Sequence, residues 1–107
     1  MKGENIGEFE ELVMLAVRSL GDEATGSTIQ ELIRREAKRG ATLGAIYAAL
    51  DRGHRKGLVE SSLGDPVPAP GGRRRRYYRL TRAGVAALRE SRRVREALWQ
   101  TARGATS

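Results

Sequence analysis

Gly71-Gly72-Arg73-Arg74-Arg75-Arg76-Tyr77-Tyr78-Arg79-Leu80-Thr81 runs from glycines through four consecutive arginines into two tyrosines and a residue that can cap a helix. Its later part, Arg75 to Leu80, is short and aromatic-rich, which is how a turn-bounded strand reads. A partner strand is visible upstream: Leu58-Val59-Glu60-Ser61-Ser62-Leu63 follows Gly57 and has a matching length. Between them, Gly64 to Gly72 holds all three prolines, Pro66, Pro68 and Pro70. Alternate prolines cannot donate ladder hydrogen bonds, so the spacing predicts a hairpin whose long loop is extended and exposed. Guanidinium groups donate in a rigid fork that matches phosphate oxygens, and strand alternation sends successive arginines to opposite faces. The run therefore reads as a phosphate grip or, on composition alone, as a solvated charge-rich turn. Tyr77 and Tyr78 must point to opposite faces, so one packs inward and the other stays at the surface.

Working outward toward the N-terminus, three helices precede the hairpin. Thr42 caps the one nearest it, with Leu43, Ile46, Tyr47 and Leu50 predicted inside and Ala45, Ala48, Ala49 and Arg52 on the opposite face. Small side chains on an outer face let a helix seat in a groove about 12 Å wide, although alanine also simply favours helix. Gly53 falls where the apolar stripe calls for a large residue, so the last turn is expected to fray or bend. Gly57 ends this helix. The second helix opens among Thr25, Ser27 and Thr28, with Ser27-x-x-Gln30 fitting a capping box. It buries Ile29, Leu32, Ile33 and Ala37 and stops at Lys38-Arg39-Gly40. The first helix spans Glu8 to Leu20, where Phe9, Leu12, Val13, Ala16, Val17 and Leu20 share one face. Glu8, Glu10 and Glu11 crowd its first turn, where the helix dipole favours carboxylates, and Gly21 sits at its C-cap.

Downstream of the hairpin, Thr81 is the N-cap of a last helix carrying Val85, Leu88, Val94, Leu98 and Trp99 among Arg89, Arg92, Arg93 and Arg95. In so small a chain, Leu98 and Trp99 lie beyond anything their own subunit offers to pack against, which makes a partner chain their natural contact. The predicted architecture is mostly α with a small β-hairpin, in the order α-α-α-β-β-α, with a cap-rich second helix and a small-faced third in the helix-turn-helix arrangement and a C-terminal helix left for a partner chain. Residues 1–80 are expected to form the DNA-binding domain, 81–103 a helix continuous with it, and 104–107 a disordered tail.

Composition excludes much else. The 107 residues suffice for one domain. Lys and Arg total 20 against 13 Asp and Glu, net +7, and the balance is uneven: residues 1–51 carry 6 basic and 9 acidic side chains, residues 52–107 carry 14 and 4. An anion-binding surface therefore belongs to the second half. Absence of cysteine excludes disulfides, Cys-ligated zinc and thiol chemistry. The single histidine, His54, leaves little material for a catalytic or metal constellation and reads as a solvated side chain, so no enzyme, cofactor or metal is expected. No apolar run suits a signal peptide or membrane span, so a soluble cytoplasmic protein without membrane insertion is expected.

The stretch Leu43-Gly44-Ala45-Ile46-Tyr47-Ala48-Ala49-Leu50-Asp51-Arg52, then Lys56-Gly57-Leu58-Val59, then Gly71 through Tyr77-Tyr78-Arg79-Leu80-Thr81-Arg82-Ala83-Gly84, resembles the PadR-like winged-helix transcriptional regulators. The likeness spans roughly residues 8 to 99. It implies a dimeric bacterial repressor that binds double-stranded operator DNA, with the third helix in the major groove, the hairpin as a wing and the last helix joining the dimer. Carried over by position, Thr42, Gly44, Ala45, Tyr47, Ala48 and Arg52 lie on or beside the recognition helix, and Arg74, Arg75 and Arg76 are wing contacts. Ser27 and Thr28 offer hydroxyl or backbone N–H groups to a phosphate. Tyr47 can be a core aromatic, a phosphate ligand through its hydroxyl, or both. Gly53-His54 departs from the family pattern of a large apolar residue followed by a polar one. Val85, Leu88, Val94, Leu98 and Trp99 are the expected dimer contacts. The resemblance also suggests that Trp99 lines a site for a flat aromatic effector, against the plainer reading that it fills the interface. The competing class is a basic interaction module for an acidic protein or anionic membrane surface.

Overall fold

The computed structural model describes residues 6–66 and 74–105. Four α-helices and one antiparallel hairpin follow one another as α1 (Glu8–Leu20), a single 3-10 turn (Gly21–Glu23), α2 (Gly26–Ala37), α3 (Leu43–Arg55), β1 (Val59–Pro66), β2 (Arg74–Leu80) and α4 (Arg82–Gly104). The predicted order holds. α1 keeps its predicted bounds because its apolar stripe is broad and Gly21 leaves the helix at φ +58°.

α1 runs through the centre. Val13, Met14 and Val17 meet Ile29 and Ile33 of α2, Ile46, Ala49 and Leu50 of α3, and Leu58, Val59 and Leu88 from the hairpin and α4. α2 is capped two residues before the expected Ser27 box, at Thr25, another of the three residues that could open it. Thr25 is the N-cap and Thr28 the third residue, so the reciprocal bonds join those two: the Thr28 amide donates to Thr25 Oγ1 (3.2 Å) and the Thr25 amide to Thr28 Oγ1 (2.8 Å). Gln30, freed from capping, donates to the Ala41 carbonyl at 2.8 Å. The helix ends at Lys38, which itself turns left-handed at φ 53°, ahead of the expected Gly40.

α3 presents a different stripe from the one predicted. Ile46, Ala49, Leu50 and Gly53 are buried, whereas Leu43 and Tyr47 are 40% and 46% exposed. The reason is distance: a methyl at Ala49 and a hydrogen at Gly53 let α3 lie close to its neighbours. A Cβ on Gly53 would stand 2.8 Å from Val59 Cγ2, so the position that calls for a large residue by period has no room for one. α3 runs unbroken to Arg55, and the Gly53 carbonyl accepts the Leu58 amide at 2.9 Å.

The hairpin pairs Val59 with Leu80, Ser61 with Tyr78 and Leu63 with Arg76, then shifts register before Pro66 meets Arg74. Both strands are longer than predicted; the expected extended, exposed loop falls mainly on residues 67–73, outside the described residues. β2 is tied to the body where the Tyr78 amide donates to the Ala24 carbonyl at 2.9 Å. Thr81 caps α4 as predicted, accepting from the Gly84 amide at 3.0 Å and donating to the Gly57 carbonyl at 2.7 Å. Gly84 is pressed so tightly on the Leu58 carbonyl that a Cβ there would overlap the oxygen. Leu88 faces this packed junction and is a core residue of its own protomer, at the floor of the face expected to meet a partner. The segment expected as a tail begins inside α4, whose last helical residue is Gly104.

Candidate nucleic-acid interface

α2, its turn and α3 form a rigid corner. Gln30 holds Ala41 from inside, and from outside Arg39 Nη1 lies 3.1 Å from both Glu8 carboxylate oxygens with its guanidinium over the Phe9 ring. Thr42 then starts α3, accepting the Ala45 amide at 3.0 Å. Thr42, Gly44, Ala45, Tyr47, Ala48 and Arg52 all face solvent, so the corner displays one continuous short-chained face. Tyr47 lies across Gly26, and a Cβ on that glycine would overlap the phenol. Its phenol end thus packs on the start of α2, while the residue as a whole stays 46% exposed on the face of α3.

Of the two hydroxyls expected at the start of α2, only Ser27 is exposed. Thr28 Oγ1 donates to the Glu23 carbonyl at 2.7 Å and takes part in the cap, and its amide is bonded to Thr25. Neither group is left for a phosphate, because a cap at Thr25 uses both internally.

β2 divides its cations by alternation. Arg74, Arg76 and Tyr78 point one way, Arg75, Tyr77 and Arg79 the other. Arg74 Nε donates to the Gly64 carbonyl (2.8 Å) and Arg76 Nη1 to Ser61 Oγ (3.0 Å), bonds that leave further guanidinium donors to each side chain. Arg76, Tyr78, Ser61, Tyr47, Asp51 and His54 surround a cleft of about 270 Å³ between α3 and the hairpin, floored by Leu50 and Val59. Burial, reinforced by neighbouring Tyr47, raises the Tyr78 hydroxyl above its ordinary pKa, so it stays a neutral donor. The other hairpin face is different in charge: Arg79 is paired with Glu60 at 2.7 Å, and Asp22 and Glu23 stand beside Glu60 around a second concavity. A polyanion is therefore favoured on the α3 side of the hairpin and disfavoured on its back. Tyr78 and Ser61 escaped sequence reasoning as site residues; their signal is their period-2 relation to Arg76 and its partner strand.

α4 leaves the body after Arg95, which pairs with Glu11 of α1. Val94, Leu98 and Trp99 are exposed, Val85 is half-buried, and Leu15 of α1, missed in the sequence, is exposed near Val85 and Trp99. Leu15, Val85, Leu88 and Trp99 line a groove of about 650 Å³ between α1 and α4, rimmed by Arg18, Arg89 and Arg92.

Residues 14–90 match the model of the Transcriptional regulator PadR-like family. Among solved structures, a PadR-like transcription factor from Bacteroides fragilis is 26% identical with a TM-score of 0.74, over 89% of this chain and 86% of that one. A PadR family transcription regulator from Clostridium difficile R20291 is 24% identical with a TM-score of 0.71, over 87% and 93%. Bacillus subtilis PadR, solved in complex with operator DNA, shares the fold at 17% identity and a TM-score of 0.66, over 79% of this chain and 46% of that one. No curated protein sequence matches the chain.

Proposed function

The chain belongs to the transcriptional regulator PadR-like family, and from that premise we propose that it is a homodimeric repressor that reads an approximately palindromic operator with α3 and holds the backbone with its arginine wing. The observation that carries this reading is the single surface formed by the short-chained face of α3 and the Arg76 side of the hairpin, backed by an acidic face. Its work is binding rather than catalysis. Thr42, Gly44, Ala45, Ala48 and Arg52 approach base edges, and Tyr47, Arg74, Arg76 and Ser27 approach phosphates, whereas Arg75 lies on the opposite face of β2. The B. subtilis PadR complex supports this use of the fold. Two-fold symmetry sets the half-sites about 34 Å apart, near 10 base pairs or a multiple. Val85 and Trp99 face the second chain at the α1–α4 groove, where a small aromatic effector also has room, and exposed Val94 and Leu98 meet it beyond the groove. No helix among the described residues is long and apolar enough to cross a membrane.

The test is a fluorescence-anisotropy titration against the DNA upstream of the protein's own gene and a scrambled duplex, at about 50 and 200 mM salt. Preference for the native fragment that survives the higher salt establishes sequence-specific recognition. Equal binding erased by salt, together with binding to anionic vesicles, establishes a general polyanion surface instead. Replacing Arg74, Arg75 and Arg76 by alanine is expected to flatten the salt dependence by about 0.9 log units for each phosphate no longer neutralised. An unaltered slope removes the wing from the interface.

A further inference from the structure

The glutamates that open α1 reach three different parts of the molecule. Glu8 binds Arg39 in the α2–α3 turn, immediately before α3 begins. Glu10, only 3% exposed, accepts from Lys56 Nζ at 3.0 Å, at the cap where α3 ends. Glu11 pairs with Arg95 of α4 at 2.5 Å. The helix dipole accounts for carboxylates in this turn but not for where each one points.

These pairs close a circuit. Lys56 is followed by Gly57 and Leu58, whose carbonyls accept from the Thr81 hydroxyl and amide, and Gly84 rests on the second of them. The start of α4 is thus fixed to the end of α3, and its middle to α1. Glu10 Oε2 has no hydrogen-bond partner among the described residues, so the carboxylate is placed by Lys56 and, at 3.3 Å, by the Gly7 amide. A buried ion pair adds little net stability over an apolar pair of equal volume; what it can supply is a fixed register.

We propose that the first turn of α1 is a positioning joint, in which Glu8 and Glu10 hold α3 by its two ends and Glu11 holds α4, so that a shift of α4 changes the angle at which α3 meets DNA. The inference rests on the reading of α3 as the DNA-contacting helix. Under it, a partner chain or effector acting on α4 is felt at α3 through this turn.

The chain has no cysteine, so Ala48→Cys on α3 and Gln100→Cys on α4 accept a pair of spin labels without background. Labelled chain is diluted into excess unlabelled chain, and the distance distribution between the two sites is measured by pulsed dipolar spectroscopy. One narrow distance is expected in the otherwise unaltered chain. Glu11→Gln and Glu10→Gln are expected to broaden it roughly twofold, while the reversed pair Glu11→Arg with Arg95→Glu restores it. A role in stability alone would lower the melting temperature and leave the distribution narrow; an unchanged distribution in Glu11→Gln therefore overturns the joint even if Glu10→Gln fails to fold. The same variants without labels are titrated against duplexes that the unaltered chain enriches from a random pool. Affinity about tenfold weaker in Glu11→Gln, regained in the reversed pair, supports the link to DNA, and unchanged affinity despite a broadened distribution overturns it. If the unaltered chain enriches no duplex, the reading of α3 falls, while the distances still judge the joint.

Discussion

Leu88 and Leu98 stand on the same helix, within the same arginine-rich pattern, yet one is 7% exposed and the other 65%. The difference lies in what stands opposite. Up to Leu88, α4 is pinned by Thr81 and Gly84 to the Gly57–Leu58 turn and packs on the core. Past Arg95 every described residue of α4 is exposed, because a helix of 23 residues, about 34 Å long, outruns the 13 residues, about 20 Å, of α1 beside it. An amphipathic pattern therefore states that a face will be covered, and the reach of the rest of the chain decides by whom.

The pinned end is where this contrast breaks most sharply. At Gly84 the atom in the way of a Cβ is a backbone carbonyl, which cannot swing aside as a side chain can. Gly84→Ala is expected to destabilise the protein by more than about 3 kcal/mol, read from urea unfolding. Gly104→Ala, at the free end with nothing near its added methyl, is expected to change stability by less than about 1 kcal/mol. Equal effects at both glycines would show that α4 is not anchored through this contact.

The two leucines sharpen the comparison at lower energy. Leu88→Ala removes a core side chain and is expected to cost about 2 to 3 kcal/mol at every protein concentration. Leu98→Ala acts only where a second chain covers the residue, so its effect of about 1 kcal/mol should appear at concentrations that support the dimer and vanish on dilution. Sedimentation equilibrium beside the unfolding curves separates them. A loss at Leu98 that does not depend on concentration would place that residue against its own chain.

Periodicity made the helices, the hairpin and the caps at Thr42 and Thr81 legible because each is specified by residues close in sequence. α1 could be read to both ends for that reason. α3 could not be oriented from its own sequence, because Tyr47 is drawn out by the open space over Gly26 and Ala49 is drawn in by the closeness of its neighbours. Hydropathy records neither distance. Thr28 looked available as a phosphate ligand until the position of Thr25 as N-cap assigned its hydroxyl, and how deeply Leu88 sits follows from the contact of Gly84 with the Leu58 carbonyl, which no periodicity shows. The partners of Glu8, Glu10 and Glu11 lie on three separate elements, and no local pattern announces them.

The smallest expected effect concerns the free end itself. Trp99 is the sole tryptophan, so intrinsic fluorescence reports this end of α4 alone. Being 63% exposed in the single chain, it is expected to shift its emission to shorter wavelength as concentration rises and a partner covers it. Four arginines, Arg18, Arg89, Arg92 and Arg95, line the groove beside it against two acids, Glu11 and Glu96. A planar aromatic carboxylate should therefore quench Trp99 more than an aromatic cation of the same ring size, and added salt should narrow the gap between them. Fluorescence that follows protein concentration but ignores both ligands would leave Trp99 as an interface residue only, the plainer of its two roles and one in which the end of α4 differs from its beginning solely in whose core it joins.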